Sequence, residues 1–142
     1  MCLSATRRNI GVVFCGRQAP GGHDVIAGLK THAADWAHEV VGFVGGVEGL
    51  VAGHVIHVTD DLAAAYRGQG GFDLLGRSSD RIAPESYEKI TAVLKLHAIQ
   101  RLVLIGAYRP APFYRSFPFR FGCKYSSILL ILEFSAVKLI ET

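Results

Sequence analysis

Glycine at the ends of apolar runs carries the clearest chemistry in this chain. Asn9 to Cys15 is a near-continuous apolar run, and the loop Gly16-Arg17-Gln18-Ala19-Pro20-Gly21-Gly22 follows it. A second run, Glu39 to Val44, stops at Gly45-Gly46, and a third, Arg101 to Ile105, stops at Gly106. Glycine lets the main chain approach an oxyanion and aim N–H groups at it. A helix opening after Gly21-Gly22 adds the positive end of its dipole. Phosphate or diphosphate suits such a cradle, and Arg17 can add a positive charge. The spacing matches neither common nucleotide fingerprint. Gln18 stands where the dinucleotide motif needs its second glycine, and Gly22-His23 replaces the lysine and hydroxyl residue of the P-loop. On spacing alone, the first loop can also be a strand–helix turn that needs glycine only for its geometry.

The elements that must position these loops follow from the pattern. Asn9–Cys15 reads as a strand covered on both faces, since it is apolar throughout rather than alternating. His23 to Trp36 reads as a helix, with Val25, Ile26, Leu29, Ala33 and Trp36 on one face. Glu39–Val44 is a second strand and His54–Val58 a short third. Thr59-Asp60 is placed to cap a short helix through Tyr66. Pro84 suits the first position of a helix whose face holds Tyr87, Ile90, Leu94 and Ala98. Arg101–Gly106 closes the series as another buried strand. Strands alternating with helices predict an α/β fold: a Rossmann-like, mostly parallel sheet with helices on both faces.

Composition narrows the function classes. At 142 residues the chain has the length of about one domain, and half of it is apolar. A formal charge of +3 is too mild to imply nucleic acid. Arg109, Arg115, Arg120 and Lys124 interleave with aromatics as in single-strand binders, but no regular element presents them. No apolar run nears the roughly 20 residues of a membrane helix. Cys2, Cys15 and Cys123 are too scattered for a disulfide framework or a zinc site, which points to the cytosol. The six histidines show no ligand spacing, and Asp60 and Asp61 fit helix capping better than metal binding. His23, at a helix start, is a minor candidate for touching phosphate.

Composition breaks after Gly106. Residues 107–142 hold eight of the fourteen aromatics, three of the five prolines and one of the sixteen glycines. Tyr108 to Phe121 has neither helical nor strand period. Ser127 to Phe134 fits a strand or a short buried helix. The expectation is an N-terminal extension at 1–8, one domain at 9–106 and a divergent tail at 107–142. Such a break is either an ordinary linker and tail or the mark of a tail foreign to the fold, as an alternative splice product, a retained intron or a faulty gene model would give.

The ordered glycine segments resemble a known family. Ile10-Gly-Val-Val-Phe-Cys-Gly-Arg-Gln-Ala-Pro-Gly-Gly-His23 resembles the N-terminal diphosphate loop of the phosphofructokinase family. Gly42-Phe-Val-Gly-Gly-Val-Glu-Gly-Leu50 and Tyr66-Arg-Gly-Gln-Gly-Gly-Phe-Asp-Leu-Leu-Gly-Arg77 resemble its second and third segments, and Leu102-Val-Leu-Ile-Gly106 the strand before its metal loop. Gly16-Arg17 and Phe72–Arg77 are most like the alpha, regulatory-type subunit of the plant diphosphate-dependent enzyme.

The resemblance implies an incomplete N-terminal lobe of a phosphofructokinase fold, at residues 9–106. It implies a phosphate- or diphosphate-binding set of Gly16, Arg17, Gly21, Gly22, Arg77 and Gly106. The family enzyme moves a phosphoryl group to fructose 6-phosphate in cytoplasmic glycolysis, with diphosphate or ATP as donor and with Mg2+. Its metal ligands and its threonine–aspartate base segment have no match after Gly106, so no catalytic or metal residue is assigned. The implied partners are other phosphofructokinase subunits, as in an alpha/beta hetero-oligomer, with no nucleic acid and no membrane. The expected behaviour alone is inactivity; the alternative is a non-catalytic, phosphate-binding or regulatory fragment that docks on full-length subunits. A sheet lacking its later strands is also expected to leave an open apolar edge.

Overall fold

The structure is a computed structural model of the chain. It describes residues 8–16, 19–35, 37–78 and 82–106, together with the backbone of 129–133. Five strands form one sheet: β1 (Asn9–Phe14), β2 (Val40–Phe43), β3 (Val55–His57), β4 (Ile99–Ile105) and β5 (Leu129–Glu133), in the order β3-β2-β1-β4-β5. The centre is parallel, with β1 pairing β2 from Ile10↔Val40 to Val12↔Gly42 and β4 from Ile10↔Arg101 to Phe14↔Ile105. Both edge strands run antiparallel to their neighbours. The expected α/β sheet is therefore present as a parallel core with antiparallel margins.

Successive residues of β1 divide between two cores, as strand geometry requires. Val13 and Cys15 join Val41, Phe43, Leu50, Ile90 and Leu94 on one face. Val12 and Phe14 join Ile26, Ala33, Val40, Ala63 and Leu75 on the other. Helices α1 (Gly22–Asp35) and α3 (Asp60–Tyr66) pack together, as do α2 (Gly46–Ala52) and α4 (Tyr87–Leu96). The sheet is thus covered on both faces, the reason its central strands are continuously apolar.

Thr59 caps α3 as expected, its side chain accepting from the Leu62 amide at 3.2 Å. Asp60 and Asp61 lie in the first turn of that helix, and Asp60 pairs with Lys30 at 3.7 Å. Pro84 opens a single 3₁₀ turn (Pro84–Ser86) rather than α4 itself. Ala98 is not on the face of α4; it follows the helix at φ 52°, in the turn into β4. Trp36, expected to end α1, lies outside the described residues.

Two features depart further from expectation. Helix α2 was not foreseen, because Gly46, Gly49 and the flanking Gly53 weigh against a helix on propensity. Tertiary packing overrides that preference: Val47 and Leu50 are buried against the sheet. The β4 edge is not open either, since β5 pairs along it from Arg101↔Glu133 to Ile105↔Leu129. Of the strand-or-helix alternatives for Ser127–Phe134, the strand holds. The remainder of 107–142 lies outside the described residues.

Gly49 makes α2 possible, because a Cβ there would stand 1.7 Å from the Val44 carbonyl oxygen. Gly28, inside α1, has nothing within 4 Å of its Cβ position. Gly49→Ala is therefore expected to lower stability by about 3 kcal/mol or more, as backbone clashes in a core do. Gly28→Ala should raise it by about 0.5–1 kcal/mol through helix propensity and loss of unfolded-chain freedom. Urea unfolding of the two variants checks both signs.

Candidate phosphate-binding site

Strand order locates the site before any side chain is considered. From β1 the chain steps to β2 on one side, while β4 lies on the other, so the order reverses at β1. Ligands of open α/β sheets bind outside the carboxyl ends of strands at such a switch point. Gly16 and Gly106 flank it, each lying just beyond the paired residues Phe14 and Ile105. The Cys15 amide donates to the Ile105 carbonyl at 2.9 Å, keeping the strands together up to the crevice.

The segment Phe72–Ser78 brings the positive charge. Ser78 bridges Cys15 in parallel. Its hydroxyl accepts from the Val47 amide at 3.1 Å, which caps α2 from outside the helix. Gly46, at φ 66°, leaves room for this: a Cβ there would stand 2.2 Å from the Ser78 nitrogen. Arg77 is exposed; it donates from Nη1 to the Gly16 carbonyl at 2.9 Å, and its guanidinium lies 4.9 Å from the Phe72 ring centroid. The remaining guanidinium donors have no partner among the described residues.

Six residues are expected here from sequence, and the structure distributes them unevenly. Gly16 and Arg77 are in direct contact. Gly106 is buried at the end of β4 with φ 135°. Gly21 and Gly22 build the entry turn of α1: the Gly22 amide donates to the Ala19 carbonyl at 3.1 Å and the Gly21 carbonyl accepts from Val25 at 3.0 Å. Gly22 packs flat on Phe14, where a Cβ would meet the ring at 2.5 Å. Arg17 lies outside the described residues.

Sequence reasoning missed Ser78 and gave His23 a different role. Ser78 gave no signal, because its role as a cap acts across 31 residues of chain. His23 is 1% exposed, with Nδ1 at 2.9 Å from the Gln69 carbonyl and Nε2 at 3.4 Å from the Leu74 amide. It holds protein groups rather than facing a ligand.

Cys15, the buried thiol beside Gly16, donates to the Ile105 carbonyl at 3.7 Å, and burial pushes its pKa up from 9.0 to about 11. It is a packed apolar group and not a nucleophile. Among the described residues no group of three or more His, Cys, Asp or Glu could hold a metal ion.

The α/β domain thus carries glycine ends at its switch point and an arginine reaching to one of them. The comparisons identify its family. The sequence profile of the family Phosphofructokinase matches residues 9–111, and the chain belongs to that family. It is 47% identical over 104 residues to the pyrophosphate–fructose 6-phosphate 1-phosphotransferase subunit alpha 1 of Arabidopsis thaliana. The match covers 68% of this chain and 16% of the relative. With subunit beta 2 of the same enzyme from the same plant, identity is 37% over 106 residues, covering 72% of the chain and 19% of the relative. The chain therefore spans under a fifth of the length of these relatives. The fold is shared with phosphofructokinase from Saccharomyces cerevisiae at a TM-score of 0.64 and 19% identity, over 72% of this chain and 14% of that one. Among the described residues no helix is long and apolar enough to cross a membrane.

The Cys15 thiol carries a pH prediction. Its folded pKa lies above its unfolded value, so the unfolded chain releases the proton first. Stability on this account is full below pH 9.0 and falls as pH rises towards about 11, a loss that Cys15→Ala should abolish. Thiolate-directed alkylation of Cys15 at pH 8 should be about a hundredfold slower than that of a solvent-exposed thiol. Unfolding curves at several pH values, with mass spectrometry of the Cys15 peptide, read both.

Proposed function

We propose that residues 9–106 form the phosphoryl-donor cradle of a diphosphate-dependent phosphofructokinase of the alpha type. The observation that carries this reading is the contact of Arg77 with the Gly16 carbonyl, which sets a guanidinium across the mouth of the switch-point crevice. The identity to an alpha subunit, 47% against 37% for a beta subunit, supports the alpha assignment.

In this reading the reaction moves a phosphoryl group from diphosphate to fructose 6-phosphate, in the cytosol and within glycolysis. Phosphoryl transfer asks the protein mainly for positioning and for neutralisation of charge spread over the phosphate oxygens. Gly16 and Gly106 let the donor approach the ends of β1 and β4. Arg77 offers the donor its uncommitted N–H groups, in the forked geometry that suits phosphate. Magnesium supplies charge neutralisation across the donor oxygens in phosphoryl transfer, and no step here is assigned through it. Acceptor binding and proton removal from the sugar hydroxyl are assigned to segments of the longer relatives that this chain does not match. The 142-residue polypeptide by itself is accordingly proposed to bind the donor without turnover and to act beside other phosphofructokinase subunits.

Titration calorimetry of the purified chain with diphosphate tests this reading. Saturable binding is expected, with affinity about tenfold lower in Arg77→Ala and only partly restored in Arg77→Lys, which keeps the charge and loses the fork. A coupled assay with diphosphate, fructose 6-phosphate and magnesium should show no turnover from this polypeptide. No diphosphate heat at millimolar ligand would refute the cradle, and magnesium-dependent turnover would refute the donor-only role.

A further inference from the structure

His23 is the most deeply buried polar side chain among the described residues, and no step of phosphoryl transfer uses it. We propose that His23 is the positioning residue of the Arg77 loop: as the Nδ1–H tautomer it ties Gln69 and Leu74, and thereby sets where Phe72 and Arg77 stand over Gly16. This rests on the donor-cradle reading for its functional consequence, though not for its geometry.

The tautomer follows from the partners. A carbonyl oxygen only accepts, so Nδ1, 2.9 Å from the Gln69 oxygen, carries the proton. The Leu74 amide only donates, so Nε2 at 3.4 Å is the bare nitrogen. The other neutral form sets lone pair against lone pair at Gln69 and N–H against N–H at Leu74, failing at both ends. One ring thus spans the turn between residues 69 and 74. Local bonds hold its two ends, the Gln69 amide donating to the Tyr66 carbonyl at 3.1 Å and the Gly76 amide to the Phe72 carbonyl at 2.6 Å, while Gly70 and Gly71 between them have nothing within 4 Å of their Cβ positions.

Ring contacts pass the position on. Phe14 of β1 meets His23 edge-on at 5.5 Å and Phe72 edge-on at 5.6 Å. Phe72 in turn lies under the Arg77 guanidinium. The Leu75 carbonyl, next along the loop, accepts from the Gly45 amide at 2.7 Å and locks the segment to the end of β2. Asp24 offers a second tie, to the Gly68 amide at 2.8 Å, but that bond is exposed and competes with water. The His23 ring is 1% exposed and meets Phe14 and Tyr66, so its bond to the Leu74 amide is buried and its bond to the Gln69 carbonyl partly so.

Nitrogen-15 NMR of the whole 142-residue chain tests the proposal directly. Expected are a protonated Nδ1 and a bare Nε2 on His23, and an Arg77-to-Phe72 NOE. His23→Phe keeps a packed ring without the ties. It should fold cooperatively, lose that NOE, and bind diphosphate about tenfold more weakly, the effect of one buried hydrogen-bond pair. Adding Arg77→Ala to it should cost nothing further, because the two act through one contact. A protonated Nε2, or an NOE that survives in H23F, overturns the proposal. If H23F does not fold, His23→Asn serves, since its amide donates at the Nδ1 position. H23N should expose the Leu74 amide to exchange and weaken the NOE, and an unchanged NOE beside an exchanging Leu74 amide overturns the idea. If the wild-type chain binds no diphosphate, the donor-cradle reading fails, while the tautomer and the NOE still decide the role of His23.

Discussion

β1 has no free side. Its backbone is paired to β2 and to β4, and Val12, Val13 and Phe14 are fully buried between two helical layers. Its two ends meet solvent, the carboxyl end at half-buried Gly16 and the amino end at half-buried Asn9 beside exposed Arg8. The switch-point crevice lies at the carboxyl end, between Gly16 and Gly106. Everything around it is arranged from there: β4 stops in register at Ile105, α1 starts against Phe14, and Phe72–Ser78 folds back alongside Cys15.

The interior that holds this crevice is almost wholly apolar, so the few polar contacts within it carry specificity rather than bulk stability. An unpaired buried donor or acceptor costs about 1–3 kcal/mol, more than the bond itself contributes net. Ser78 to Val47 and His23 to Gln69 and Leu74 meet that demand while joining segments 31 to 51 residues apart. Alternative placements of the loop after α3 would leave these groups unsatisfied. The same logic makes Arg77 adaptable. It is exposed and, among the described residues, bonded to a single carbonyl, so it can turn towards an anion at little cost, while its guanidinium rests by the Phe72 ring.

Much of this was legible in the sequence, and the limits are physical. β1, β4 and the face of α1 are readable because burial on both sides of a sheet, or on one side of a helix, writes a local apolar period. Family resemblance singled out the glycine ends and Arg77; the match over residues 9–111 bears out the family itself. Helix α2 was hidden because Gly46 and Gly49 are there for contacts with Ser78 and Val44, distant or outside the helix, and local propensity points the wrong way. His23 was only a minor candidate for touching phosphate; its partners, 46 and 51 residues further along, leave no mark near it. The chain direction of β3 and β5 was equally silent, since alternation of side chains is the same in parallel and antiparallel strands.

The two antiparallel edges bear on how such a lobe persists in water. A parallel sheet normally needs a crossover of a dozen or more residues for each added strand, whereas an antiparallel strand can be added by the chain turning back. β3 follows β2 after one short helix and pairs from Val41↔His57 to Phe43↔Val55. On the other side β5 pairs with β4 over five residues, although it lies beyond the segment matched to the family. That pairing satisfies main-chain groups of β4 that would otherwise form an exposed template for association. The β4 backbone is thereby paired on both of its edges up to Ile105, so the crevice wall that ends in Gly106 is flanked by β5 as well as by β1.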